Sequence, residues 1–153
     1  MALPKSVVKI SKKGITYTSN VDKASYTIKE LTRAALRDVA RYIRYNITAK
    51  IRELEGLSKG KRASNATGYW LRKIEGDLQI GIKVGKNDGT WYGAQQELGE
   101  KNQPKREFLR GTVMENINKI REIESQYLSA IEDENKALAL INEEEGRELD
   151  DRD

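Results

Sequence analysis

The sequence contains no cysteine and no histidine, and it has only two prolines and one phenylalanine. Without cysteine the chain can form neither a disulfide framework nor a thiolate metal site, and without histidine it lacks the commonest metal ligand and general base of enzymes. No pair of carboxylates stands out from the many solvated acidic residues as an acid–base pair. We therefore expect a protein that is not an enzyme and that uses no catalytic residue, no cofactor and no metal.

Long hydrophobic runs are also missing. No stretch holds enough consecutive apolar residues to cross a bilayer, and the first residues, MALPKSVVKISKK, lack the apolar core of a signal peptide. We expect a soluble protein that is cytosolic where it is made and has no membrane partner.

Charge, by contrast, is abundant: 34% of the residues are charged and 37% are hydrophobic. A chain of 153 residues with this composition fits one modest domain with solvated ends. The charge is unevenly spread. Residues 1–62 contain 15 Lys and Arg and 5 Asp and Glu, residues 63–131 contain 10 and 9, and residues 132–153 contain 3 and 10. A basic first part and an acidic tail can attract each other within a molecule or between subunits.

The N-terminal part predicts a β hairpin or arm followed by a long helix. Residues 6–19 are rich in β-branched residues on both sides of a Lys-Lys-Gly turn, so they form either a hairpin or an extended arm that adds to a sheet in its own or a neighbouring subunit. Thr27 and Glu30 match a capping box, which predicts a helix start there. Apolar residues then recur every three or four positions from Ile28 to Leu54, which predicts one helix to about Glu55.

The middle of the chain predicts a small meander. The segments YWLRKIEG and DLQIGIKVG have strand patterns separated at Gly76-Asp77, and a turn at Asn87-Asp88-Gly89 leads into WYGAQQELG, predicted as a third strand from its aromatic start. A helix is predicted from Arg106 to Ile131, with Phe108 as its anchor on the sheet. Beyond a short amphipathic stretch we expect a free acidic tail after Gly146.

These elements predict an α+β fold. A small antiparallel sheet of three to four strands packs against a long N-terminal helix and a C-terminal helix, with an N-terminal β arm and an acidic C-terminal tail. The predicted division is residues 1–25 for the hairpin or arm, 26–131 for the core, and 132–153 for a short amphipathic helix and a partly disordered tail.

Two segments of the core resemble a known family. Tyr92, Glu97, Leu98 and Gly99, then Pro104, Phe108, Leu109 and Arg110, are similar to an aromatic-Ala-x-x-x-Glu-Phe-Gly segment followed by Pro-x-x-x-Phe-Leu-x-x-Ala. Upstream, Thr67-Gly68, Leu71, Arg72 and Ile74 are similar to Thr-Gly-x-Leu-x-x-Ser-Ile. Both segments occur, in this order, in the tail-completion or head–tail neck proteins of tailed bacteriophages. The resemblance covers residues 28–131.

The resemblance implies a structural virion protein of the phage neck or tail. It implies a homo-oligomeric ring, with six subunits as the expectation, that joins a tail terminator or tail tube protein to a head-side connector or stopper protein while DNA passes through the lumen. Such a protein is present in the host cytoplasm during assembly and in the virion afterwards. The N-terminal arm could couple subunits by strand addition, or the acidic tail could dock on the basic helix of a neighbour.

The alternative is a basic DNA- or RNA-binding module. Cations recur along the first helix and in the polar loop from Ser58 to Gly68, and spaced cations can neutralise phosphates. No recognised nucleic-acid motif accompanies them. The possible DNA-facing or subunit-contacting residues are Arg33, Arg37, Arg41, Arg44, Lys59, Lys61 and Arg62.

Overall fold

The fold is α+β, as predicted. The computed structural model describes residues 8–53, 66–72, 74–83, 92–102 and 104–150. The elements in chain order are β1 (Val8–Lys12), β2 (Ile15–Ser19), α1 (Val21–Glu53), β3 (Thr67–Arg72), β4 (Asp77–Ile82), α2 (Tyr92–Leu98), α3 (Phe108–Glu115), α4 (Ile117–Leu128) and α5 (Glu134–Asp150).

The described strands form two separate antiparallel hairpins, so the predicted sheet of three to four strands is replaced by two sheets of two strands each. In the first hairpin Lys12 pairs with Ile15 across a two-residue loop. Lys13 and Gly14 both have positive φ, 50° and 80°, as a type I′ turn requires. In the second hairpin Thr67 pairs with Ile82 and Arg72 with Asp77. The predicted break at Gly76-Asp77 is confirmed, since Gly76 lies in the connecting turn with φ 67°.

The predicted third strand is wrong where the structure describes it. Tyr92–Leu98 is a helix, and the preceding turn at residues 87–89 lies outside the described residues. Ala, Gln, Glu and Leu, which fill this segment, are good helix formers and outweigh the single aromatic residue at its start. Gly93 lets α2 approach β4, because a Cβ at that position would lie 2.7 Å from Cδ1 of Ile82.

The long first helix is confirmed, but its start is not at Thr27. The helix begins at Val21, and the backbone N–H of Ala24 donates to the carbonyl oxygen of Asn20 at 2.9 Å. The Thr27 hydroxyl donates instead to the carbonyl oxygen of Lys23 at 3.0 Å, within the helix. A Thr at an interior position can bond back to the preceding turn, so the pattern of a capping box does not by itself place a helix end.

The predicted helix from Arg106 to Ile131 is two helices. They separate at Asn116, whose side-chain amide donates to the carbonyl oxygen of Thr112 at 2.8 Å while its Oδ1 accepts from the Tyr42 hydroxyl at 2.7 Å. Asn competes with the backbone for such bonds and favours helix ends.

The expected loss of structure after Gly146 is also wrong, since α5 continues to Asp150. The segment is rich in the good helix formers Ala, Leu and Glu, and Glu143 and Arg147 form an ion pair one turn apart. Residues 151–153 lie outside the described part of the chain.

The chain divides into two compact units, residues 1–35 with 124–153 and residues 36–123. The second unit has a core of Val39, Ile43, Ile47, Ile51 and Phe108, against which Leu78, Ile80 and Ile82 of β4 pack. Phe108 is 1% exposed, so its predicted anchoring role is confirmed. In the first unit the buried hydrophobic residues come from α1, from the end of α4 and the turn after it, and from α5: Leu31, Ala34, Ala35, Tyr127, Ala130, Ala137 and Ile141.

Candidate assembly surface

The structure brings the two halves of the downstream motif together through one carboxylate. The Oε2 atom of Glu97 accepts the backbone N–H of Leu109 at 2.8 Å, and its Oε1 accepts that of Arg110 at 3.0 Å. These two donors lie in the first turn of α3, where backbone N–H groups have no partner within the helix. Glu107, the residue before α3, makes no side-chain cap bond and has φ 47°. Glu97 therefore supplies from α2 the cap that the local sequence lacks.

The loop between the motif halves folds back on α2. Gly99 has φ 79°, and a Cβ there would lie 3.1 Å from the backbone nitrogen of Lys105. The backbone N–H of Arg106 donates to the carbonyl oxygen of Gln96 at 2.9 Å. Pro104 is exposed in this loop, and the backbone of Tyr92 begins α2, while its side chain lies outside the described part. Glu97 and Gly99 of the motif thus stabilise the fold of this corner.

The upstream motif forms β3. Thr67 is 2% exposed, and its carbonyl oxygen accepts from Nε of Arg44 at 3.1 Å. Gly68 lies under a neighbouring side chain, because a Cβ there would be 2.9 Å from Cε of Lys83. Half-buried Leu71 pairs in register with Leu78, on the face that packs on the core.

An ion pair closes the far end of this hairpin. The Arg72 guanidinium donates through Nε to Oδ1 of Asp77 at 2.6 Å and also through Nη2 to Oδ2. This hydrogen bonding lowers the pKa of the Asp77 carboxyl and raises the pKa of Arg72. Both side chains are partly exposed, so the pair contributes modestly to stability.

The four arginines of α1 predicted to face DNA or a neighbouring subunit have contacts within the chain. Arg33 pairs with Glu30, Arg41 pairs with Asp38 at 3.3 Å, and Arg44 is bonded to Thr67 as described above. Arg37 also has a contact within the chain. Lys59, Lys61 and Arg62, the predicted basic residues of the loop, lie outside the described residues.

Sequence reasoning missed an apolar cavity in the unit of residues 36–123. It has a volume of about 290 Å³ and is lined by Ile47, Ile80, Leu109, Arg110, Val113 and Met114. Met114 is 58% exposed beside it. The signal was present in the sequence, because Arg110, Val113, Met114 and Ile117 recur at helical spacing beside Phe108.

A second cavity lies in the other unit, with a volume of about 220 Å³. The start of α1 and the turn before α5 provide its lining: Asn20, Lys23, Ala24, Thr27, Ile28, Ile131 and Glu132. The helical stripes in the sequence included Ile28 and Ile131, yet these side chains are 44% and 42% exposed.

No known protein family, characterised protein or solved structure with which we compared the chain matches it. Within the part of the chain that the structure describes, no helix is long and apolar enough to span a membrane. The same residues contain no group of three or more acidic side chains placed to hold a metal ion.

Proposed function

We propose that the chain is a structural protein of the neck or tail of a tailed bacteriophage, and that it works by assembling into a ring. The observation that carries the proposal is the Glu97 clamp. The two motif halves that resemble the tail-completion family are separated by a short irregular loop, and one carboxylate of the first half caps the helix that begins with the second. Because these motif residues act together in one structural contact, proteins that share the motif are expected to share the fold of this segment.

The role proposed for the protein is geometric. The described residues present an exposed apolar surface at each of the two cavities described above, and apolar surface of this kind is removed from water when copies associate. Residues 36–123 contain 18 Lys and Arg against 11 Asp and Glu, whereas the other unit contains 10 against 13. Opposite net charges on the two units favour contacts between unlike units of neighbouring copies. A ring repeats each contact, so weak contacts add up to a stable assembly that binds the tail on one side and the head connector on the other.

The alternative of a nucleic-acid-binding module has less support. A phosphate-binding helix needs cations that can exchange their counterions for phosphates. The four arginines of α1 on which this alternative rests, Arg33, Arg37, Arg41 and Arg44, all have contacts within the chain. Measuring DNA affinity against salt separates the two functions, since a phosphate binder loses affinity steeply as salt rises.

Two measurements test the proposal. Native mass spectrometry with electron microscopy of the purified protein should give a closed ring of defined copy number. Deletion of the gene from the phage genome that carries it should leave heads and tails unjoined, and restoring the gene should restore virions. Particles with normal necks in the absence of the protein would refute the proposal.

A further inference from the structure

The tip of the β1–β2 hairpin is exposed and basic and carries one large apolar side chain. Lys12, Lys13 and Gly14 are exposed, and Ile15 is 74% exposed. Residues 1–19 contain no Asp or Glu. Among the described residues neither lysine has an ion-pair partner. An isolated two-stranded hairpin is marginally stable in water, and an exposed Ile at its tip adds nothing to its stability unless a partner covers it.

The cavity at the start of α1 has the complementary character. Its apolar lining includes Ile28 and Ile131, and Glu132 lines it with a carboxylate that has no ion-pair partner among the described residues. Asp133 follows Glu132 and is exposed, although its Oδ1 also accepts the backbone N–H of Asn135 at 3.0 Å. A volume of about 220 Å³ is enough for one branched aliphatic side chain, since cavities of about 150 Å³ hold benzene.

We propose that the hairpin tip of one copy docks in this cavity of a second copy. Ile15 would enter between Ile28 and Ile131, and Lys12 and Lys13 would face Glu132 and Asp133. The contact rests on the proposed function, because it supplies one of the interfaces through which copies assemble. Lys23, which also lines the cavity, has a contact of its own within the chain.

The tip does not fill the cavity of its own chain. Ile15 stands at the far end of β2 from Asn20, a lining residue of the cavity. Five residues of strand at roughly 3.3 Å per residue place it about 16 Å from Asn20. The exposure of Ile15, Ile28 and Ile131 agrees with this, because the three side chains are 74%, 44% and 42% exposed.

The contact has a direction. Each copy carries one tip and one cavity, formed by different residues, so the contact gives a twofold dimer if two copies exchange it and a head-to-tail interface if it is used in one direction. The proposed ring needs the head-to-tail use. A head-to-tail interface closes into a ring when the rotation between copies allows it. The inference therefore specifies how neighbours in the proposed ring would be joined.

Because the sequence contains no cysteine, the introduced cysteines are the only thiols in a disulfide-crosslinking test. Ile15→Cys and Ile131→Cys are purified separately, mixed and oxidised gently. The proposal expects a disulfide-linked dimer that contains one of each variant. The control pair is Ile74→Cys with Ile131→Cys, because Ile74 is 96% exposed at the tip of the other hairpin and should give no such dimer. Equal yields from both pairs would overturn the proposal.

Charge and hydrophobicity are tested by self-association in sedimentation or native mass spectrometry. Ile15→Asp should weaken association at least tenfold, while Ile74→Asp should leave it unchanged. Lys12→Glu and Glu132→Lys should each weaken it, and the two changes together should restore it. Circular dichroism checks that each variant folds.

The outcomes separate the two proposals. A ring that survives Ile15→Asp and gives no specific disulfide overturns the docking contact and leaves the neck function standing. A protein that stays monomeric and gives no specific disulfide overturns the contact, while the gene deletion still tests the function. DNA binding that Lys12→Glu abolishes, with assembly unchanged, would assign the tip to nucleic acid and overturn the contact.

Discussion

Replacing Glu97 tests the structural role of the motif most directly. Glu97→Ala removes both acceptors of the Leu109 and Arg110 N–H groups and leaves the first turn of α3 without its cap. Glu97→Gln keeps one acceptor oxygen but turns an NH₂ group towards the second N–H. Both variants lose the charge, and they differ by the one hydrogen bond that Gln can keep.

The expected cost follows from the contacts. A hydrogen bond to a charged group contributes about 1.5–3 kcal/mol, and loss of a helix N-cap costs about 0.5–2 kcal/mol. A carboxylate near a helix N-terminus adds about 0.3–1 kcal/mol. Because Arg110 is exposed, water can bond its freed N–H, so the losses do not add fully. We expect Glu97→Ala to cost about 2–3 kcal/mol and Glu97→Gln about 1–2 kcal/mol.

Thermal unfolding followed by far-UV circular dichroism measures the loss. For a chain of this size each kcal/mol lowers Tm by about 2–4 °C, so Glu97→Ala should lower it by about 4–12 °C. Glu100→Ala is the matched control, because its exposed carboxylate bonds only the side chain of Gln95 and should change Tm little. If the Glu97→Ala Tm equals that of the control, Glu97 is not the cap of α3 and the structural account of the motif fails.

Three further predictions concern other contacts. Tyr42→Phe should lower the free energy of unfolding in urea by about 1–2 kcal/mol, because it leaves Oδ1 of Asn116 without its donor. Tyr45→Phe, at a 75% exposed position, should not change it measurably. Equal losses in the two variants would contradict this prediction. Gly99→Ala should lower Tm because φ at Gly99 is 79° and the new Cβ would crowd Lys105. Gly146→Ala, inside α5 with open space around it, should raise stability by about 0.5–1 kcal/mol. Stability changes in the same direction for both variants would be inconsistent with the structure. The Arg72 guanidinium lowers the pKa of the Asp77 carboxyl. The carboxylate therefore stabilises the fold at pH values above its unfolded-state pKa, and this contribution is lost as the pH falls through the lowered pKa of the folded state. The difference in stability between wild type and Asp77→Asn should be present at neutral pH and vanish in strong acid.

The parts of the fold that the sequence predicted are those with a strong local pattern. The segment around Lys-Lys-Gly predicted a hairpin or an extended arm, and the hairpin forms because glycine favours the positive φ of its turn. The alternation from Leu78 to Ile82 predicted β4. The stripe from Ile28 predicted α1, and a lone Phe predicted a core anchor. Each of these signals is set by residues a few positions apart.

The errors arose where two local signals competed. At Tyr92 the aromatic start favoured a strand, and the following Ala-Gln-Gln-Glu-Leu favoured a helix. After Gly146 acidic composition favoured disorder, although the helix-forming residues continued to Asp150. The Glu97 cap could not be predicted at all from spacing, because it joins two helices across an irregular loop.

The exposure of particular stripe residues carries information that periodicity alone does not. A helical stripe of apolar residues predicts which side chains pack against apolar groups. It does not tell whether those groups belong to the same chain or to a neighbouring one. Val39, Ile43 and Ile47 of the stripe are buried within the chain, whereas Ile28 of the same stripe is 44% exposed beside a cavity. Since exposed apolar area on a monomer is costly, the stripe positions that the fold leaves uncovered are those where association would bury the most. In this chain such positions include Ile28 and Ile131, and the docking contact proposed above would bury both.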